Sequence, residues 1–236
     1  MLILASDTSG KSLSVALCDE ESIIAEATLN LGYKHSVTYQ PLIADLLARS
    51  NRRKEEIDLF VCATGPGSFT GIRISIAAVK TMAWALNKPA VGVSSLEVLA
   101  AAFPGSMVCP AIDARSGRVF SALYDNGDNL QELIIPANHQ AADLWTAISQ
   151  LELCQHQMIV VGDGLPAVKS AYPGEYRSLP KTLWTGPEFW PPRASILSRL
   201  GLTKYRDGES GDPLALMPQY LALSQAERIK KQQEQA

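Results

Sequence analysis

The sequence lacks most of the features that give a function away. In 236 residues no apolar run is long enough to span a bilayer, and no basic leader precedes an apolar stretch. The expectation is a cytoplasmic protein with no membrane contact. Positive charge is not in excess: 21 Lys and Arg face 24 Asp and Glu, a net charge of −3. The one dense basic cluster, Arg52-Arg53-Lys54, runs straight into Glu55-Glu56. Phosphate binding needs clustered cations, so the chain is a poor candidate for holding nucleic acid alone. Histidine is scarce, and His35, His139 and His156 lie far apart. The four cysteines, Cys18, Cys62, Cys109 and Cys154, form no C-x-x-C pair, and three lie in strand-like apolar runs. Buried thiols in a reducing compartment are expected, and no zinc site is spelled out. No G-x-S-x-G elbow occurs either, since Pro66 and Thr70 flank Ser68 where glycine is needed.

What is present is an ordinary globular balance, 47% hydrophobic and 19% charged, enough for a core in one large domain or two small ones. The first half reads as strands at Leu2–Ser6, Ser12–Asp19 and Ser22–Leu29, then a helix near Thr38–Ser50 with Pro41 in its first turn. A strand at Leu59–Ala63 runs into Gly65-Pro66-Gly67-Ser68-Phe69-Thr70-Gly71, and a long apolar helix, about Ile72–Leu86, leaves it. A short strand at Ala90–Val93 leads to a helix capped by Ser94 or Ser95. Phe103-Pro104-Gly105-Ser106 marks a boundary between residues 1–103 and 104–223. Beyond it come strands at Val108–Ile112, Arg118–Tyr124 and Leu130–Ile135, a helix over Ala141–Leu153, and a strand at Met158–Val161 ended by Gly162-Asp163-Gly164. The Pro-rich stretch 173–192 has no period. A helix from Pro192 ends near Gly201, and residues 224–236 are a polar tail.

The halves share an opening. Asp7-Thr8-Ser9-Gly10-Lys11 and Asp113-Ala114-Arg115-Ser116-Gly117-Arg118 each follow an apolar strand and lead into another. That repeat implies a duplicated α/β unit with mixed sheets. The segment from Ala5 to Ser12 nearly matches a P-loop. The alternating, strand-like residues after it rule one out, because a P-loop must open a helix. The turn is either a backbone cradle for phosphate or a polar hairpin. Asp7, Asp113 and Asp163 all sit at strand ends, where they either converge on magnesium or cap their own turns. Glycines at 65, 67 and 71 mark a tight βα connection, and its free N–H groups suit an anion or a partner. On the long helix Arg73, Ala77, Lys80 and Trp84 form one stripe, either an interface or a core helix with snorkelling cations.

These residues resemble the bacterial TsaB (YeaZ) family of tRNA threonylcarbamoyladenosine biosynthesis. The similarity rests on the opening ILA-DTS, the loop GPGSFTGIRI, Gly92-Val93-Ser94-Ser95-Leu96-Glu97, Ile112-Asp113-Ala114-Arg115 and Gly162-Asp163-Gly164. It implies the duplicated actin-like ATPase (ASKHA) fold. It also implies a non-catalytic subunit that activates TsaD, the threonylcarbamoyl transferase. TsaE joins that pair, tRNA is contacted only through the complex, and the chain forms a homodimer when alone. TsaD-like proteins carry a His-x-x-x-His metal pair; here His35 is followed by Tyr39, a poor substitute for a second imidazole, so no metal is expected. Helix residues Leu42, Leu46, Arg73, Ala77, Lys80 and Trp84 become the candidate partner surface. Asp7, Thr8, Ser9, Asp113, Gly162 and Gly164 become a vestigial nucleotide set, with no cofactor required. An autonomous ATPase of the same fold and a peptidase are the competing functions.

Overall fold

The computed structural model describes residues 1–32, 34–174 and 178–222. In the first sheet β1 (Ile3–Asp7), β2 (Leu13–Cys18) and β3 (Ile23–Leu29) form an antiparallel meander. Strands β4 (Leu59–Gly65) and β5 (Ala90–Ser94) extend it in parallel, giving the order β3-β2-β1-β4-β5. In the second sheet β6 (Ser106–Arg115), β7 (Arg118–Asn126) and β8 (Leu130–Gln140) repeat the meander. Strands β9 (Gln157–Val161) and β10 (Lys181–Trp184) repeat the parallel extension, in the order β8-β7-β6-β9-β10. The two orders match strand for strand. This is the duplicated actin-like ATPase fold, two mixed sheets flanked by helices.

Strands β1 and β4 are apolar on both faces because helices cover both faces. Leu4 and Phe60 pack on one side with α1 (His35–Arg49) and α2 (Phe69–Leu86). Ile3 and Val61 pack on the other side with α6 (Ala194–Arg206). Helix α6 follows the second sheet in sequence yet lies on the first. Helix α3 (Ser95–Ala100), which closes the first half, bridges the two sheets, packing Val98 on the first and Leu96, Leu99 and Ala100 on β6 and β7. Each half therefore lends its last helix, α3 in part, to the other across the Phe103–Ser106 connection. The outer face of the second sheet is covered by α4 (Ala141–Ser149) and α5 (Leu165–Ser170).

Several boundaries differ from the sequence expectation, each for a physical reason. Helix α1 begins at His35, not Thr38, because the buried His35 ring seats against the turn after β1; Pro41 consequently stands inside the helix. Strand β8 continues past Ile135 through Pro136 to Gln140. It pairs only with β7, and an edge strand tolerates proline. Gly201 does not stop α6, which runs five residues further. A Cβ on Gly201 would lie 2.4 Å from a Val61 methyl, so the glycine permits close approach of α6 to β4. Helix α4 ends at Ser149, four residues before Leu153. Helix α5 and strand β10 were not anticipated. Leu223 and the polar tail lie outside the described residues.

Candidate functional site

The turn after β1 and the glycine loop after β4 are in backbone contact. The Ser68 N–H donates to the Ser9 carbonyl at 2.6 Å, and the Thr8 hydroxyl donates to the Gly71 carbonyl at 2.7 Å. A Cβ on Gly71 would stand 2.0 Å from the Thr8 oxygen, and one on Gly67 would stand 2.3 Å from the Ser9 oxygen. These two glycines are required because another backbone occupies the space of a side chain. Ser68 also caps α2, accepting the Gly71 N–H. The peptide bond between Gly65 and Pro66 is cis.

Asp7 lies beneath this clamp, 1% exposed. Its Oδ1 accepts the Ser9 N–H at 2.6 Å, while Oδ2 has no hydrogen-bond partner among the described residues. Burial raises its pKa above the usual carboxylate range, against the lowering effect of the Ser9 bonds and nearby His35. Burial, assisted by Asp7, pushes the neighbouring Cys62 thiol up to about 12. His35 Nε2 lies 2.9 Å from the Gly10 carbonyl, and the Tyr39 hydroxyl lies 2.7 Å from Ser6 Oγ. The residue four after His35 is thus tied to β1.

The second half repeats the clamp with lighter parts. The Gly164 N–H donates to the Ala111 carbonyl at 2.9 Å, and a Cβ on Gly162 would stand 2.2 Å from that oxygen. Asp113 is exposed and caps its own turn by accepting the Arg115 N–H. Asp163 Oδ1 accepts the Asp113 N–H, so these two residues come together while Asp7 stays apart in the first half. Burial raises the Asp163 pKa, and the charge of Asp113 adds to it. All three carboxylates serve turns. Among the described residues no group of three or more His, Cys, Asp or Glu is placed to hold a metal ion.

Between the two turns lies a cleft of about 380 Å³, lined by Ser9, Gly10, Lys11 and Ser12 from one half and Ile112, Asp163 and Pro166 from the other. Leu99 and the Pro187 to Pro192 segment, with Trp190, supply apolar walls. Of the vestigial nucleotide set only Ser9 lines this cleft. Asp7 is sealed away from it, and Thr8 is engaged by Gly71. The set is therefore not gathered at the cleft.

The helix candidates separate. Leu46 is buried in the core between α1, α2 and the first sheet, and Leu42 is half-buried against it. Ala77 is exposed and Trp84 is 69% exposed. Arg73 and Lys80 are instead engaged by residues 213–220, which run along α2 as a strap. Lys80 Nζ donates to the Leu214 and Leu216 carbonyls, and Arg73 Nε donates to the Tyr220 hydroxyl. Sequence reasoning missed the strap, and it missed Val37, which is as exposed on α1 as Trp84 is on α2. The only signal was the density of large apolar residues, Leu214, Leu216, Met217 and Tyr220, after an Asp-Pro turn.

Residues 24–171 match the family model described as TsaD: tRNA N6-adenosine threonylcarbamoyltransferase. The tRNA threonylcarbamoyladenosine biosynthesis protein TsaB of Bacillus subtilis is 34% identical over 230 residues, covering 96% of each chain. Two Pseudomonas aeruginosa structures superpose closely. One is an uncharacterized protein with similarity to the peptidase YeaZ, at TM-score 0.80 and 26% identity, covering 94% of this chain and 99% of that one. The other is YeaZ, at TM-score 0.77 and 26% identity, covering 93% and 99%. No helix among the described residues is long and apolar enough to cross a membrane. With identity sustained along nearly its whole length, this chain belongs to the TsaB (YeaZ) family of tRNA threonylcarbamoyladenosine biosynthesis proteins.

Proposed function

We propose that this chain is a non-catalytic subunit that binds a TsaD-type threonylcarbamoyltransferase and holds it in an active arrangement in the cytoplasm. The supporting observation is how the polar groups around the first turn are used. Asp7 serves the Ser9 amide, His35 meets the Gly10 carbonyl and Tyr39 meets Ser6. Groups so engaged stabilise the turn and are poorly placed to act on a substrate. The docking face is the outer side of α1 and α2, where Ala77, Trp84 and Val37 are exposed. Exposed apolar surface of this kind marks association sites. The same face pairs two copies when no partner is present, since a self-complementary patch favours two-fold association. A TsaE-type ATPase joins the pair, and tRNA is reached only through the assembly.

Ala77→Glu tests this. The side chain is exposed, so the variant keeps the parent circular dichroism spectrum. Binding to the TsaD-type subunit weakens at least tenfold, about 1.4 kcal/mol, and sedimentation of the variant alone shifts towards monomer. Parent-like binding by the folded variant overturns the docking face. A second reading, an autonomous nucleotide-binding ATPase, draws on the cleft and on the buried Trp190 Nε1, which has no partner among the described residues. ATP turnover by the purified chain would favour it.

A further inference from the structure

We propose that residues 211–222 are a clasp that fixes the start of α2, and that partner docking depends on the clasp being seated; the second part rests on the docking face just described. The segment is held at several points along its length. The Ala90 N–H donates to the Gly211 carbonyl at 2.9 Å, which ties the strap to the exposed edge of β5. Lys80 then grips the Leu214 and Leu216 carbonyls at 3.0 Å each. Leu216 drops into the first core and is 7% exposed. The Gln219 N–H donates to the Thr64 carbonyl at 2.8 Å, and Tyr220 stacks on Phe69 with ring centroids 4.9 Å apart. The Arg73 guanidinium lies 3.9 Å from the Phe69 ring centroid and closes that end.

Two glycines of the first half, Gly65 and Gly92, lie against this strap as well as against Ile72 and Thr64. A Cβ on Gly65 would stand 3.0 Å from the Gln219 oxygen, and one on Gly92 would stand 3.2 Å from a Leu216 methyl. Beyond Tyr220, Leu221 and Ala222 pack against the core formed by α3 and the second sheet. The strap therefore runs from the edge of the first sheet, over the glycine loop, to the second half. Phe69 is the first residue of α2, so seating the strap sets where that helix begins and which side it presents.

Leu216→Ala tests the proposal in the full-length chain, because Leu216 is buried and no partner can touch it directly. The expected result is exchange of the Gln219 and Ala90 amide hydrogens at least tenfold faster, with the strands of the second sheet unchanged. Affinity for the purified TsaD-type subunit is expected to fall at least tenfold. Unchanged exchange at Gln219 overturns the clasp. Faster exchange with parent-like affinity, while Ala77→Glu binds weakly, overturns the coupling and leaves the docking face standing. Parent-like affinity in both variants removes both. Weak binding by Leu216→Ala with normal binding by Ala77→Glu upholds the clasp and moves the docking face off Ala77. Should Leu216→Ala fail to fold, Lys80→Met takes its place with the same two readouts.

Discussion

The two halves use one backbone device with different weight on top of it. In each, the first hairpin offers a carbonyl to an N–H from the loop after the fourth strand, with a glycine pressed against it: the turn residue Ser9 meets Ser68 in the first half, and Ala111 within β6 meets Gly164 in the second. The loops then diverge. The first opens an 18-residue helix with a capping serine, and the second opens a six-residue helix with no side-chain cap. Asp7 is buried, while its counterpart Asp113 is exposed. The repeat preserves the fold, and the enlarged helices of the first half supply the surface that distinguishes it.

Breaking the clamps gives the largest effect. Gly71→Val forces a branched side chain into the Thr8 carbonyl, and Gly162→Val does the same at Ala111. Each is expected to cost about 3 kcal/mol, the upper end of ordinary overpacking, lowering the melting temperature by roughly 6–12 °C. Equal losses show that both clamps carry the fold; a clear loss in the first half alone shows that the second is dispensable. Next comes Tyr39→Phe, which leaves the buried Ser6 hydroxyl without its partner. Chemical denaturation should show a loss of about 1 kcal/mol.

The carboxylates sharpen the comparison further. Burial raises the folded-state pKa of Asp7 above its unfolded value. The folded state thus favours the protonated acid, and stability falls as pH rises from the unfolded pKa through the raised one. Asp7→Asn should remove that fall: thermal melts from pH 4 to 8 should show the variant gaining on the parent as pH increases. Asp113→Asn is the smallest change in stability, within about 0.5 kcal/mol, because that side chain is exposed. In the reconstituted tRNA modification assay both Asn variants should stay within a few-fold of the parent, whereas omitting the chain should nearly abolish modification.

Much of this was legible in the sequence. The paired Asp turns announced the duplication, and three glycines around Pro66 announced a site where only a bare backbone fits. What escaped depends on contacts distant in sequence. Gly201 reads as a helix stop until Val61, 140 residues earlier, is seen filling the space beside it. Lys80 reads as part of an interface stripe or as a snorkelling cation, although its partners lie more than 130 residues away. Strand β10 is four residues long among prolines and aromatics, too short for periodicity to show.

The exchange of closing helices has a consequence for synthesis. The face of the first sheet that carries Ile3 and Val61 is covered by Ala194–Arg206, which leaves the ribosome more than 130 residues after Val61. Until then the nascent chain presents an uncovered apolar sheet, a surface that invites aggregation or chaperone capture. Neither half is a finished product alone. A ribosome stalled before Ala194 should hold a protease-sensitive chain, and protection of both sheets should arrive together once α6 emerges.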